Sequence, residues 1–441
     1  MCLKRITYLC GGDKCPDDVN TPPFIQAAKG CEILVQLLDS YSKEHEILSD
    51  ILMSIKAVAR NNKNKNNLGS CGVCNFLVSI LKEHSGNAAV VEHVYLAINN
   101  LSNNDDANRV KLGNCDGCEA VVSALNQHTN NAAVVEKGCR AIINLTLNNA
   151  NGVKLGACAV VSALNKQINN AAVAEQGCKA ILYLAANDAN REIFGTCGGC
   201  LIVVSALSQH SNNAAVLEWG CWAIANLACN DLNKNHIGKA GGCEAVVSTL
   251  KTHIKNVALV EQGCWAINNL ANNNDANKNY IGSCGGGEVV VWALKTHITN
   301  AAIAEQGCWA ISNLANNIDA SGVKLVDCGG CEAVVSALNT HITNAAVAEK
   351  GCKSILYLAN NNDANAEKLG TCGGCLAVVW ALKTHITNAA VVEWGCGAIS
   401  NLALNDTNRK IIGSCGGVKQ CCRLYANILP MMPLQSGDAG L

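Results

Sequence analysis

The sequence predicts an all-α fold, a right-handed α-solenoid or superhelix of about nine repeats with three helices in each. Three observations predict it. The tetrad E-x-G-C recurs with its acid at Glu136, Glu175, Glu218, Glu261, Glu305, Glu349 and Glu393, in steps of 39, 43, 43, 44, 44 and 44 residues, and Glu92 holds the same place 44 residues before the first. A fixed period of roughly 20–50 residues means stacked supersecondary units, each burying its apolar face on the next. Within each period the apolar residues fall three and four apart, the spacing of one helix face. Composition agrees: 49% of residues are apolar and 15% charged, enough for a continuous core and too little charge for disorder. A chain of 441 residues would otherwise divide into several globular domains, whereas repeats lengthen without needing one large centre.

The elements follow from one period, Gly241 to Cys284. Gly241-Gly242 breaks the chain, and Cys243, Val246, Val247 and Leu250 then give helical spacing for a leading helix of about three turns. His253 is expected in its last turn, where a protonated imidazole suits the negative end of the helix dipole. Asn256 caps a second helix that runs to about Ala271, with Ala258, Leu259, Cys264, Ile267 and Leu270 on its apolar face. Asp275 is the expected cap of a short closing helix that ends at Gly282. Between Glu136 and Glu175 the period shortens, because the stretch Leu155 to Leu164 lacks about four residues of the C-G-G-C-E turn, and a local kink is expected there. A weaker copy near Ser49 makes the first repeat. Residues 1–29 are expected to cap the stack or fray, 30–415 to form the solenoid, and 416–441 to be a degenerate half-repeat and tail, since the E-A-V-V pattern is lost there.

The segment EQGCWAINNLA (Glu261 to Ala271) resembles the third-helix signature of armadillo repeats, and GGCEAVVSTL resembles their Gly-Gly-led second helix. The likeness recurs over roughly Gly30 to Cys415. The phrase GC-x-A-[IL]-x-N-L-A is similar to that of tandem arrays in protists and in leucine-rich-repeat kinases, although no kinase, GTPase or leucine-rich segment is present. The resemblance implies that the second helix of each repeat, here the inner helix, lines a concave groove, and that the chain acts as a protein-binding scaffold or adapter.

Along the inner helix Glu261, Trp265, Asn269 and Asn273 stand four residues apart, so they form one slowly drifting stripe. Through the repeats the Asn269 column reads Asn100, Asn144, Tyr183, Asn226, Asn269, Asn313, Tyr357 and Asn401, and the Trp265 column reads Leu96, Arg140, Lys179, Trp222, Trp265, Trp309, Lys353 and Gly397. Carboxamides both donate and accept, so a row of them can hold the backbone of an extended peptide, and neighbouring indoles offer slots for its aliphatic or cationic side chains. Helices stack every ~8–10 Å and an extended peptide rises ~3.3 Å per residue, so the three repeats with the full W-x-x-x-N pair would grip about six to nine residues. The candidate groove is Trp222, Asn226, Trp265, Asn269, Trp309 and Asn313, flanked by Asn144 and Asn401 and supplied with negative charge by Glu218, Glu261 and Glu305. The same residues can serve as scaffold, an Asn bonding a neighbouring loop and a Trp filling space between helices.

The ladder Trp222/Asn226, Trp265/Asn269, Trp309/Asn313 also resembles that of importin-α, which implies a nuclear-import cargo adapter as an alternative. Importin-α places acidic residues near its ladder where Asn230, Asn273 and Asn317 stand here.

The 28 cysteines include five C-x-x-C pairs, Cys71/Cys74, Cys115/Cys118, Cys197/Cys200, Cys328/Cys331 and Cys372/Cys375. Such a pair can supply two zinc ligands or a redox dithiol, and a thiol or metal protein is the alternative from another class. A structural zinc needs four ligands at one point, and each repeat offers one pair, so close packing of small reduced thiols at the turn is the expected role. The histidines His84, His128, His210, His253, His297, His341 and His385 form a row at the ends of leading helices, read as helix-end capping.

No cofactor, metal site or catalytic set is expected. Lys+Arg (33) and Asp+Glu (34) nearly cancel, which leaves no excess of cations for nucleic acid or an anionic membrane. No run of apolar residues suggests membrane insertion or export. The expected partner is a protein or peptide, the chain itself is expected to be monomeric, and the expected place is the cytoplasm, with the nucleus added under the import alternative.

Overall fold

The structure, a computed structural model, describes residues 28–316, 324–360 and 362–416. The terminal cap and tail expected at 1–29 and 416–441 lie almost wholly outside these, as does Asn317. The described residues are all-α and form two compact halves that divide between Ala240 and Gly241. Each half is a solenoid by itself, and each repeat whose three helices are all described runs leading, inner and closing in that order.

The sixth repeat shows why its residues fold this way. Gly241 adopts φ 81°, a left-handed conformation that a side chain would strain, and so turns the chain into the leading helix Gly242–Thr252. That helix buries Cys243, Val246, Val247 and Leu250, as the spacing predicts. The side chain of Asn256 accepts a hydrogen bond from the amide of Leu259 at 3.2 Å and opens the inner helix Val257–Ala271. Leu259, Cys264, Ile267 and Leu270 are fully buried, and Val260 joins them, while Ala258 faces solvent at the first turn. Each buried Leu, Ile or Val stabilises the stack by about 1.5–3 kcal/mol relative to exposure.

Two expected local details shift by one residue. The cap of the closing helix Asp275–Ser283 is Asn274, which accepts from the amide of Asn277 at 2.9 Å, and Asp275 is the first helical residue, paired with Lys278 at 3.0 Å. His253 lies just past the leading helix rather than within its last turn.

The histidine row has a different role from dipole capping. Within the first half, Nε2 of His84, His128 and His210 lies 2.7, 2.6 and 2.6 Å from the carbonyls of Ser42, Ser85 and Ile168. In the second half, His297, His341 and His385 reach the carbonyls of Ile254, Ile298 and Ile342 at 2.6, 2.8 and 2.7 Å. A carbonyl only accepts, so Nε2 carries the proton, and each imidazole ties its repeat to the loop of the preceding one. In the shortened fourth repeat the place is taken by Gln167, whose Nε2 donates to Thr129 O at 3.2 Å. A glutamine has no charge for a dipole to favour, so its presence identifies the donor as what the position needs.

A second ladder runs through the closing helices. Asn108, Asn151, Asn190, Asn233 and Asn408 are buried, and their amide nitrogens donate to Lys65 O, Arg109 O, Gly152 O, Arg191 O and Ala366 O at 3.3, 2.9, 2.7, 2.7 and 2.7 Å, all in the preceding repeat. The ladder continues across the shortened period, although the closing helix just before the fourth repeat, Asn149–Leu155 of the third, has 7 residues where Asp106–Asn114 has 9. The lost residues come out of the end of that helix and the following turn, so the interfaces on either side keep their bonds.

Candidate peptide-binding face

The inner helices carry the predicted stripe. In the first half, Trp222 on the helix Ala214–Leu227 is half-buried and stacks on Trp219, with ring centroids 5.4 Å apart and planes 11° from parallel. Lys179, from the preceding repeat, holds its ammonium 4.2 Å from the Trp219 ring. In the second half, Trp265 and Trp309 are half-buried, and Lys350 of the next repeat sits 4.2 Å from the Trp309 ring, with Glu349 as its ion-pair partner. Lys353 lies 4.6 Å from the Trp394 ring, and Tyr357 packs at 6.4 Å on the same indole.

These contacts follow one rule. The residue in the Trp column of one repeat meets the x of E-x-G-C in the next, and the pair is one aromatic and one lysine: Lys179 with Trp219, Trp309 with Lys350, Lys353 with Trp394. At these three places an indole face already holds a cation of the chain, worth about 0.5–1 kcal/mol at an exposed site, and of the three rings only Trp309 belongs to the ladder that the sequence offers to a ligand. Reading the x column beside the Trp column would have revealed Trp219, Trp394 and Lys350. The same register sets Gln306, an uncharged residue, opposite Trp265.

The asparagine column is largely engaged within the chain. Amide nitrogens of Asn100, Asn144, Asn226, Asn313 and Asn401 donate to Lys56 O, Asn99 O, Leu182 O, Asn268 O and Leu356 O at 2.9, 3.0, 3.2, 3.2 and 2.9 Å. Each acceptor lies on the inner helix of the preceding repeat, so the column is a third ladder. Asn144 and Asn313 also reach the side-chain oxygens of Asn99 and Asn268, at 2.9 and 2.6 Å. Asn313 is buried, while Asn144, Asn226, Asn269 and Asn401 are half-buried.

The acids differ from one another. Burial raises the Glu218 carboxyl, with Lys179 opposing and Glu175 adding to the rise. Burial likewise raises Glu305, with Lys350 opposing and Glu349 and Glu261 adding to the rise. Glu136 is paired with Arg140 at 2.8 Å and Lys137 at 3.1 Å, so the third repeat neutralises itself where the seventh does not. Lys353 is pushed below its ordinary range, first by burial and then by Lys350, against the attraction of Glu349 and Glu393.

The thiols sit in graded burial. Cys139, Cys178, Cys264, Cys308 and Cys352 of the E-x-G-C tetrads are fully buried and pushed up to about 12, with desolvation the leading cause. In the C-x-x-C pairs the second cysteine is buried, and the first is half-buried at the end of the closing helix, as with Cys328, whose thiol donates to Leu325 O at 3.2 Å. Among the described residues no three His, Cys, Asp or Glu side chains come together as metal ligands would.

No family model and no curated protein matches the chain. Solved structures do. A crystal structure of an engineered protein matches with a TM-score of 0.74 and 20% identity, covering 91% of this chain and 94% of that one. A structure from work on the phosphorylation switch that controls the interaction between cadherin and beta-catenin matches with a TM-score of 0.70 and 15% identity, over 91% of this chain and 83% of that one. At these identities the likeness is one of fold, and with the helix order it places the chain among α-solenoid repeat proteins. Among the described residues no single helix is long and apolar enough to cross a membrane.

Proposed function

We propose that the chain is an armadillo-type, non-catalytic scaffold of the cytoplasm that binds an extended segment of a partner protein along its inner helices. The observation that carries this reading is the pair of half-buried indoles, Trp265 and Trp309, which stand at the same place on successive inner helices beside the half-buried acids Glu261 and Glu305. Indoles left at a surface are the side chains that most often anchor protein partners. In the second half the segment would run past Glu261, Trp265, Asn269, Glu305, Trp309 and Asn313. The Trp222/Asn226 pair with Glu218 offers the same chemistry in the first half, and Asn144 and Asn401 mark outlying positions. Because the asparagine nitrogens are committed to the neighbouring helix, the indoles and acids carry most of the recognition in this reading.

The test is capture of partners by the Trp265→Ala/Trp309→Ala variant beside a Trp292→Ala/Trp380→Ala control on the leading helices, where both indoles are about half exposed. The inner variant, folded by circular dichroism, should lose the partners that the control keeps. An inner variant that keeps them all removes the face from consideration. The import-adapter alternative is favoured by the charge of Glu261 and Glu305 and requires that the captured segment be basic.

A further inference from the structure

One repeat in each half departs from the tryptophan and asparagine ladder in the same way. The inner helix Ala171–Leu184 carries E-Q-G-C-K-A-I-L-Y and the inner helix Ala345–Leu358 carries E-K-G-C-K-S-I-L-Y. Lys179 and Lys353 thus stand in the Trp column, and Tyr183 and Tyr357 in the Asn column. The repeat after each of them reads E-W-G-C, with Trp219 and Trp394. Lysine in the first column, tyrosine in the second and tryptophan at the x of the next repeat occur at these two places and at no other repeat, so the three residues come as a set.

Within its own half each set is assembled in space. The Lys179 ammonium lies 4.2 Å from the Trp219 ring, and the Lys353 ammonium lies 4.6 Å from the Trp394 ring, which Tyr357 meets at 6.4 Å from its other neighbour. All six side chains are half-buried. Among the described residues neither ammonium has an ion pair or a hydrogen bond, and neither tyrosine hydroxyl has a hydrogen bond. The other cations of these columns are satisfied: Lys137 and Arg140 pair with Glu136, and Lys350 pairs with Glu349. Burial, and then Lys350, pushes Lys353 below its ordinary range, as befits an ammonium that has lost water and gained no anion. The tyrosines also cost the scaffold a tie, since asparagines at their place, such as Asn144 and Asn401, bond to the preceding inner helix.

We propose that Lys179 with Tyr183, and Lys353 with Tyr357, are two equivalent sites, each taking the carboxylate of an aspartate or glutamate in the bound segment. The proposal rests on the reading of the inner helices as the binding face. The indole holds the ammonium in place, the ammonium supplies charge and N–H donors, and the phenol adds an O–H donor. Each site offers one unpaired cation, and Glu218 acts on Lys179, as Glu393 does on Lys353, through its charge. One negative charge therefore fits, whereas a phosphoryl group with about two would be repelled by those glutamates.

The test measures binding of the full-length protein to arrayed random-sequence peptides, each made with glutamate, glutamine or phosphoserine at one position. The parent should hold the glutamate versions of its best peptides about ten-fold more tightly than the glutamine versions, as a charge-assisted bond allows. Lys179→Gln/Lys353→Gln should abolish that preference, Tyr183→Phe/Tyr357→Phe should reduce it, and Lys179→Arg/Lys353→Arg, which keeps the charge over the indole, should retain it. A parent indifferent to the exchange of glutamate for glutamine, a preference that survives Lys179→Gln/Lys353→Gln, or tightest binding of phosphoserine overturns the proposal. The Trp265→Ala/Trp309→Ala variant separates the two readings. Peptide binding that is lost with those indoles but ignores the lysines overturns this proposal alone, and a lysine-dependent glutamate preference that is untouched by their loss supports it while contradicting the indoles as anchors.

Discussion

Glu305 shows how a single side chain on this face couples stability to binding. Burial raises its carboxyl above the ordinary value of 4.5, so the folded state holds the proton more tightly than the unfolded one. The stability from that shift is complete below the unfolded value and is lost as pH rises through the folded one. Glu305→Gln should therefore melt higher than the parent at pH 7, with the gap closing as the parent is taken below about 4.5. A gap that stays constant with pH, read by thermal denaturation, would mean that the carboxylate is not penalised. The same substitution should weaken capture of a basic segment, and Lys350→Gln, which uncovers the Trp309 ring, should strengthen it.

These residue columns were legible in the sequence because the period aligns them, yet their use was only half readable. The Trp and Asn columns stand where the spacing put them, but the contact of Lys350 with Trp309 joins two repeats. Periodicity within one helix says which residues share a stripe, and it says nothing about what the next helix brings against it. The histidine row misled for the same reason: its acceptor, one repeat away, is a backbone carbonyl with no signature in residue type. Only Gln167, standing in for histidine, hinted at a donor.

At the scale of the element, the E-x-G-C glycine recurs in seven of the inner helices. A Cβ built on Gly307 would lie 2.7 Å from Cδ2 of Leu294 on the leading helix of the same repeat, closer than packed carbons approach. Gly307→Ala gains about 1 kcal/mol of helix propensity but overpacks a well-filled contact at about 1–3 kcal/mol, so a net loss of stability is expected. A variant as stable as the parent in urea would show that the two helices separate freely. The ladder asparagines make a sharper case. Asn408→Ala leaves the Ala366 carbonyl without its 2.7 Å donor and should cost about 1–3 kcal/mol, measurable in the same titration. His341→Ala, at a half-buried bond where water can replace the imidazole, should cost about 1 kcal/mol or less.

At the scale of each half, a histidine or glutamine ties every interface to a loop carbonyl, inner asparagines tie most of them to the preceding inner helix, and, among the described residues, closing asparagines tie the interfaces of the first half and the last one of the second to the preceding closing helix. Tyr183 and Tyr357 interrupt the second. Stability is then close to a sum over repeats and their nearest-neighbour interfaces, and amide exchange should be slowest in inner helices flanked on both sides, such as Ala345–Leu358. The number and order of repeats were legible from the period alone, as were the cap at Asn256 and the core positions other than Ala258, since they depend on local chemistry.

The central claim is that the inner helices, and not the leading ones, meet the partner. A photo-crosslinking residue placed at Trp265, and in a second protein at Trp380, tests it in cells. The account predicts that the Trp265 probe joins one contiguous segment of a partner and that the Trp380 probe does not. Crosslinks from Trp380 to that segment with none from Trp265 would contradict it.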